Sequence, residues 1–253
     1  MQSPISRIIY TGATQSIDAG QVRRTLRPGE ELIWRETARN ESIGLIIRPP
    51  AGSQRWIIFF YGNSMTLLGT ESIRQRVGDL GYGVACVEYA GYGVSSGSPS
   101  ERGCYRSADA AIAYLQQEAS ATLDQVTLIG WSLGTAVAVD LASRREVGAQ
   151  ILLSPLTSLF ATTMGLMHLG KTTLPIGPFN ALSRAKSIEC PTLIVSGSDD
   201  KLTRPWMANE LTEAMGSRAR QVNLAGVGHN DMLSSGNRLW DVVTDFLESP
   251  PGR

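Results

Sequence analysis

The chain has 253 residues, of which 42% are hydrophobic and 18% charged, with 23 Lys+Arg against 23 Asp+Glu. This balance disfavours nucleic acid and other polyelectrolyte partners, and the composition excludes a disordered, collagenous or coiled-coil chain. A chain this long buries roughly 70–75% of its unfolded surface, and α/β proteins of about 250 residues commonly form one domain, so a single domain over 1–253 is expected.

Residues 1–20 lack the basic start, apolar run and small-residue end of a signal peptide, and no run reaches the length of a membrane span. A cytoplasmic protein without an integral membrane segment is the resulting expectation. Two polar-flanked runs, 31–36 and 44–48, read as antiparallel edge strands. The runs at 56–61 (WIIFFY), 83–89 (GVACVEY), 125–129 (QVTLI), 149–153 (AQILL), 192–196 (TLIVS) and 221–224 (QVNL) follow. The middle ones are apolar almost throughout, as strands covered on both faces must be. Helical spacing occupies 71–80, 107–118, 134–144, 206–215 and 238–247. This alternation predicts an α/β fold with a mostly parallel, eight-stranded sheet flanked by helices joined by right-handed crossovers. Residues 155–188 break the rhythm with an apolar, Pro- and Gly-punctuated stretch. It reads as a small helical lid; the alternative is a plain crossover helix with a long loop.

Cys86, Cys104 and Cys190 lack metal-ligand pairing, and two histidines cannot complete a zinc site, so no metal or organic cofactor is expected. The pattern G-x-S-x-G occurs twice, at Gly93-Val94-Ser95-Ser96-Gly97 and Gly130-Trp131-Ser132-Leu133-Gly134. A nucleophile elbow needs a strand running directly into the turn and a helix leaving it at once. Ser132 meets both conditions; Ser95 is followed by Ser98-Pro99-Ser100-Glu101, a loop and then a helix cap.

A serine hydroxyl needs a base to remove its proton. His168 lies inside the expected lid, whereas His229 follows the last strand in AGVGHND, at the sheet edge where ligands bind in open α/β folds. The acid that orients such a base should come from Gly197-Ser198-Asp199-Asp200, after the seventh strand, in the chain order Ser, Asp, His of α/β-hydrolases. Strand geometry leaves Asp199 and Asp200 near equals. A tetrahedral oxyanion requires backbone donors. The Leu133 N–H is one, and the second is expected from the loop after WIIFFY, at Asn63 or its neighbour Ser64. Met65, Leu67 and Leu68, with Trp131 beside the serine and Met164 and Met167 in the lid, outline an apolar substrate wall.

Three segments resemble the Bem46-like branch of the α/β-hydrolases, which includes the vertebrate domain-containing types 13 and 17. FFYGNS (59–64) is similar to that family's apolar-HGN-small oxyanion motif. EYAGYGVSSGSPSE (88–101) resembles its YRGYGxSxGxPSE loop, and GWSLGTAVA (130–138) its elbow. The resemblance implies that Ser95 belongs to a structural loop, and its G-x-x-D spacing from Gly197 selects Asp200. Two departures stand out, Tyr61 for the family's His and Ala90 for its Arg; they imply altered hydrogen bonding and one charge fewer near the anion site. The expected function is hydrolysis of a hydrophobic acyl ester or thioester by Ser132, His229 and Asp200. A serine peptidase, a perhydrolase or a silent binding protein on the same fold are the alternatives.

Overall fold

The computed structural model describes residues 9–166 and 176–249. The chain divides into two compact units, Met1–Thr127 and Leu128–Arg253.

In the first unit, β1 (Glu31–Ala38) and β2 (Glu41–Arg48) form an antiparallel hairpin whose tight turn holds Asn40 at φ 61°, a left-handed conformation Asn tolerates. β2 also pairs antiparallel with β4 (Gly83–Val87), which runs parallel to β3 (Trp56–Phe60), giving the order β1-β2-β4-β3. β3 and β4 are buried at every position, which explains their unbroken apolar sequence, while the edge strand β1 is half-buried or exposed at all but Leu32.

Among the described residues, three α-helices of five residues or more accompany these strands: α1 (Ala19–Arg23), α2 (Glu71–Asp79) and α3 (Glu101–Gln117). α3 begins ahead of the expected position 107, because its first turn is polar and is held by a cap rather than by an apolar stripe. The Ser100 hydroxyl accepts the Gly103 N–H at 3.0 Å, and Arg106 pairs with Glu41 at 2.7 Å. Its buried face, Cys104, Ala108, Ala111, Ile112 and Leu115, follows the helical repeat. α1 sits in the polar N-terminal stretch that carries no apolar periodicity. A capping box between Asp18 and Gln21 starts it, and the fully buried Arg74 of α2, paired with buried Glu30, donates to the Thr25 carbonyl at 3.1 Å.

The second unit takes the strand order β5-β6-β7-β8, where β5 (Val126–Trp131) starts at the end of the first unit. β6 (Ala149–Leu153), β7 (Thr192–Gly197) and β8 (Ala219–Leu224) pair in parallel. Between and after them run α4 (Leu133–Ala142), α5 (Leu159–Leu166), α6 (Ala181–Ala185), α7 (Pro205–Met215) and α8 (Asn237–Glu248). α4 is buried on all sides, so it is apolar all round except for Thr135 and Asp140. Asp140 is held by Arg144 at 2.7 Å and Arg184 at 3.1 Å.

Within the expected lid, 155–188, the described parts are α5 and α6; residues 167–175 lie outside the description, and with them Met167 and His168. α6 packs against α4 and α7. Among the described residues no helix is long and apolar enough to cross a membrane. The three cysteines are free and buried. Burial pushes the Cys86 thiol up to about 12 and the Cys190 thiol up to about 11, and it raises Cys104 as well.

Candidate active site

The C-terminal end of β5 delivers Ser132 into a backbone conformation that non-glycine residues rarely adopt, φ 53° and ψ −118°, and α4 starts at the next residue. Gly130 makes that turn sterically possible. A Cβ there would stand 2.5 Å from the Gly134 carbonyl oxygen and 2.7 Å from the Thr135 Cα, both backbone atoms that cannot move aside. The end of β6 fixes the turn from the side, since the Ser132 N–H donates to the Leu153 carbonyl at 3.0 Å.

The next loop follows the same logic. A Cβ on Gly197 would lie 2.2 Å from the Val227 carbonyl oxygen, so only glycine lets the loop after β8 cross this close. Asp199 N–H donates to Val227 O at 3.1 Å, and Ser198 Oγ accepts the Gly226 N–H at 2.7 Å, tying the two loops together. That contact carries His229 to the serine. Its Nε2 is 2.9 Å from Ser132 Oγ and its Nδ1 is 2.8 Å from Asp200 Oδ2. A carboxylate can only accept, so the proton sits on Nδ1 and leaves the Nε2 lone pair facing the serine hydroxyl.

The two aspartates part company here. Asp199 is exposed and accepts from the neighbouring Ser198 hydroxyl at 2.7 Å. Asp200 is buried, and its Oδ1 accepts the backbone N–H groups of Leu202 at 2.9 Å and Thr203 at 2.8 Å. Burial pushes the Asp200 carboxyl up, but its hydrogen bond to His229, the charge of that ring and the Thr203 N–H outweigh burial and hold it below the usual carboxylate range.

Trp131 stacks on His229, with ring centroids 5.7 Å apart and planes 26° from parallel, and is 9% exposed. It therefore backs the imidazole more than it offers a free wall. Leu133, the other neighbour of the serine, opens α4, whose first N–H groups have no partner within the helix. Met164 lies half-buried in α5.

Asn63 and Met65 belong to the first unit, in the loop after β3. The Asn63 carbonyl accepts from Gly12 N–H at 2.7 Å and Tyr92 Oη at 3.2 Å, while its side-chain amide donates to the Ile9 carbonyl at 3.0 Å. Met65 is half-buried, folded towards Gly69. Leu67, expected at the substrate wall, is instead fully buried, with its N–H donating to Glu88 Oε1 at 3.2 Å. A leucine in an apolar run reads the same in a wall or a core; the buried carboxylate beneath this one decides the matter.

That carboxylate also receives Tyr61, one of the two departures. Tyr61 is fully buried and its hydroxyl donates to Glu88, while Tyr89 Oη donates to the Tyr61 carbonyl at 2.8 Å. No local pattern marks Glu88 for this role, nor Thr203, whose hydroxyl lies 2.9 Å from Asp200 Oδ2 and 3.1 Å from His229 Nδ1. A threonine three positions after an aspartate carries no signal strong enough to single it out.

Comparison with known proteins places the chain in a family. A serine hydrolase family model matches residues 105–249. The chain belongs to the serine hydrolase family. Its relatives include the α/β-hydrolase domain-containing protein aho-3 of Caenorhabditis elegans, 32% identical over 205 residues that make up 80% of this chain and 60% of that protein. Another is the α/β-hydrolase domain-containing protein 17C of Xenopus tropicalis, 31% identical over 216 residues, 83% of this chain and 67% of that protein. These relatives place this serine hydrolase family member with the domain-containing 17-type α/β-hydrolases. It spans only about 60% of the length of the first relatives it matches. Among solved structures, an α/β-hydrolase from Vibrio vulnificus superposes with a TM-score of 0.80 at 18% identity, covering 97% of this chain and 94% of that one, which shows the α/β-hydrolase fold.

Proposed function

We propose that this chain hydrolyses carboxylic esters or thioesters of a hydrophobic acyl group through an acyl-enzyme on Ser132. The observation that carries the reading is the continuous line from Ser132 Oγ to His229 Nε2 at 2.9 Å and from His229 Nδ1 to buried Asp200 at 2.8 Å. In this mechanism His229 Nε2 takes the serine proton as Oγ bonds to the substrate carbonyl carbon, and Asp200 stabilises the imidazolium. The tetrahedral intermediate collapses with breakage of the bond to the alcohol or thiol, which leaves with the proton from His229. Water then repeats the sequence: His229 removes its proton as the hydroxide adds to the acyl carbon, and the intermediate collapses by breaking the bond to Ser132 Oγ, which takes the proton back from His229 as the acid departs. The Leu133 N–H at the start of α4 is one oxyanion donor. The Asn63 N–H is assigned as the second on its sequence motif alone. Met65, Trp131, Met164 and Met167 are assigned to the apolar acyl side on their apolar character and their place in the sequence alone.

The test is turnover of p-nitrophenyl esters from acetate to palmitate by the parent protein and Ser132→Ala. Activity lost in the variant, with an optimum at a medium or long acyl chain, is the expected result. A folded parent with no activity on any chain length overturns the ester reading and favours a peptidase or a silent binder; equal activity in both proteins overturns Ser132 as the nucleophile.

A further inference from the structure

The end of β6 holds two parts of this site with consecutive carbonyls. Leu153 O accepts the Ser132 N–H at 3.0 Å, and Ser154 O accepts the Thr203 hydroxyl at 3.0 Å. Ser154 adopts a left-handed backbone, φ 46°, which a non-glycine residue takes only where surrounding contacts enforce it. Its own N–H is anchored to Val195 O of β7 at 2.8 Å.

Thr203 is 2% exposed and grips Asp200 from two sides, its N–H on Oδ1 at 2.8 Å and its Oγ1 2.9 Å from Oδ2. The same Oγ1 lies 3.1 Å from His229 Nδ1. A hydroxyl has one proton and two lone pairs, so it donates to one oxygen at a time, whereas Nδ1–H can only be met by a lone pair.

Resting on the triad reading above, we infer that Thr203 is a positioning residue of this site. Its hydroxyl donates to the Ser154 carbonyl and turns a lone pair towards His229, so that the Nδ1–H is shared between Asp200 Oδ2 and Thr203 Oγ1. The imidazole plane is then fixed by two acceptors, Asp200 Oδ2 in the loop after β7 and Thr203 Oγ1 anchored to the β6 end, and the ring cannot swing away from Ser132 while it carries the extra proton. The Thr203 hydroxyl takes no proton in the reaction. It acts through His229 and Asp200 alone.

Thr203→Val removes the hydroxyl while keeping the side-chain shape and the backbone N–H to Asp200, and Thr203→Ser restores the hydroxyl without the methyl group. Loss of a hydrogen bond to a charged group predicts that Thr203→Val reacts with a fluorophosphonate probe at Ser132 about 10-fold more slowly. Ester kcat should fall by the same factor with KM unchanged, and Thr203→Ser should return both rates to within about twofold of the parent. Nitrogen NMR of isotope-labelled histidine supplies a readout that needs no turnover, since the chain has only two histidines. The Nδ1 signal of His229 should move in Thr203→Val and return in Thr203→Ser. If Thr203→Val destabilises the fold, Thr203→Ala is read in the same way. A His229 Nδ1 signal unmoved by loss of the hydroxyl overturns the inference, as does equal impairment of the Val and Ser variants, which would assign Thr203 a packing role. A protein that turns over no ester yet shows the NMR shift would refute the ester reading and leave the positioning role standing.

Discussion

The same five-letter pattern, G-x-S-x-G, produces two unlike pieces of structure. At Gly130–Gly134 the serine closes a strand, takes a positive φ, and points its hydroxyl at an imidazole. At Gly93–Gly97 the serine sits in a loop and works as a staple: Ser95 Oγ accepts the Gly44 N–H of β2 at 2.9 Å and donates to the Glu88 carbonyl at 3.3 Å. Even the glycines differ in purpose. A Cβ on Gly130 meets immovable backbone, whereas one on Gly93 would meet the Glu88 carboxylate, 2.2 Å from its Oε2, at a φ of 41°. The pattern specifies small residues around a serine; the neighbouring strand, helix and carboxylate decide what the serine is for.

The largest test of this contrast is paired alanine substitution. Ser132→Ala should lower ester turnover by about 10⁴-fold or more, and Ser95→Ala by no more than about twofold, measured on purified, folded proteins. Ser95→Ala with a loss comparable to Ser132→Ala would erase the distinction between the two sites.

Next in size is the paired aspartate experiment. Asp200→Asn should cost about 10³–10⁴-fold in kcat, because an amide cannot serve as the anionic acceptor that fixes the Nδ1–H tautomer, while Asp199→Asn should stay within about twofold. A loss confined to the Asp199 variant would reassign the acid.

The two regions should also differ in how stability depends on pH. Burial pushes the Glu88 carboxyl from 4.5 up to about 7, against the opposing hydrogen bonds of Tyr61, Val94 and Leu67. Its folded-state value is raised, so the stability tied to its protonated form is fully present below 4.5 and is lost as pH rises through about 7. Asp200, held low, has the opposite sign: its contribution is present above the ordinary carboxylate range and is lost as pH falls through its depressed folded value. Glu88→Gln should therefore flatten a decline on the order of 3 kcal/mol, followed by denaturant unfolding across that window. An unchanged profile would mean that Glu88 is not the group titrating there.

Of similar size is the cost of a methyl group in the elbow: Gly130→Ala should destabilise by roughly 2–4 kcal/mol, through backbone that cannot relax. The smallest effect is structural at the other serine, where Ser95→Ala should lower stability by about 1 kcal/mol through loss of its two hydrogen bonds. Thermal denaturation of the two variants side by side gives the order.

Much of the framework was legible because periodicity and burial coincide. β3 and β4 are apolar without interruption since both faces are covered, and the strand and helix around Ser132 frame it without a gap. What escaped reading lacks that coincidence. α1 is polar and held by a capping box, and α3 starts on a cap rather than a stripe. Asp199 and Asp200 are neighbours of equal chemistry; they differ only because Gly197 admits Val227 O, bringing the His229 loop down beside one of them. Thr203 and Glu88 act through contacts made by residues distant in sequence, which no local pattern encodes.

All three thiols lie beneath the surface, two of them wholly enclosed. A maleimide or iodoacetamide quench can therefore silence the cysteine enzymes of a crude extract while leaving this chain untouched. A fluorescent serine-directed probe added afterwards would then report the Ser132 elbow in an unpurified sample, and any cysteine introduced on the surface would be a unique attachment point for a dye or a spin label.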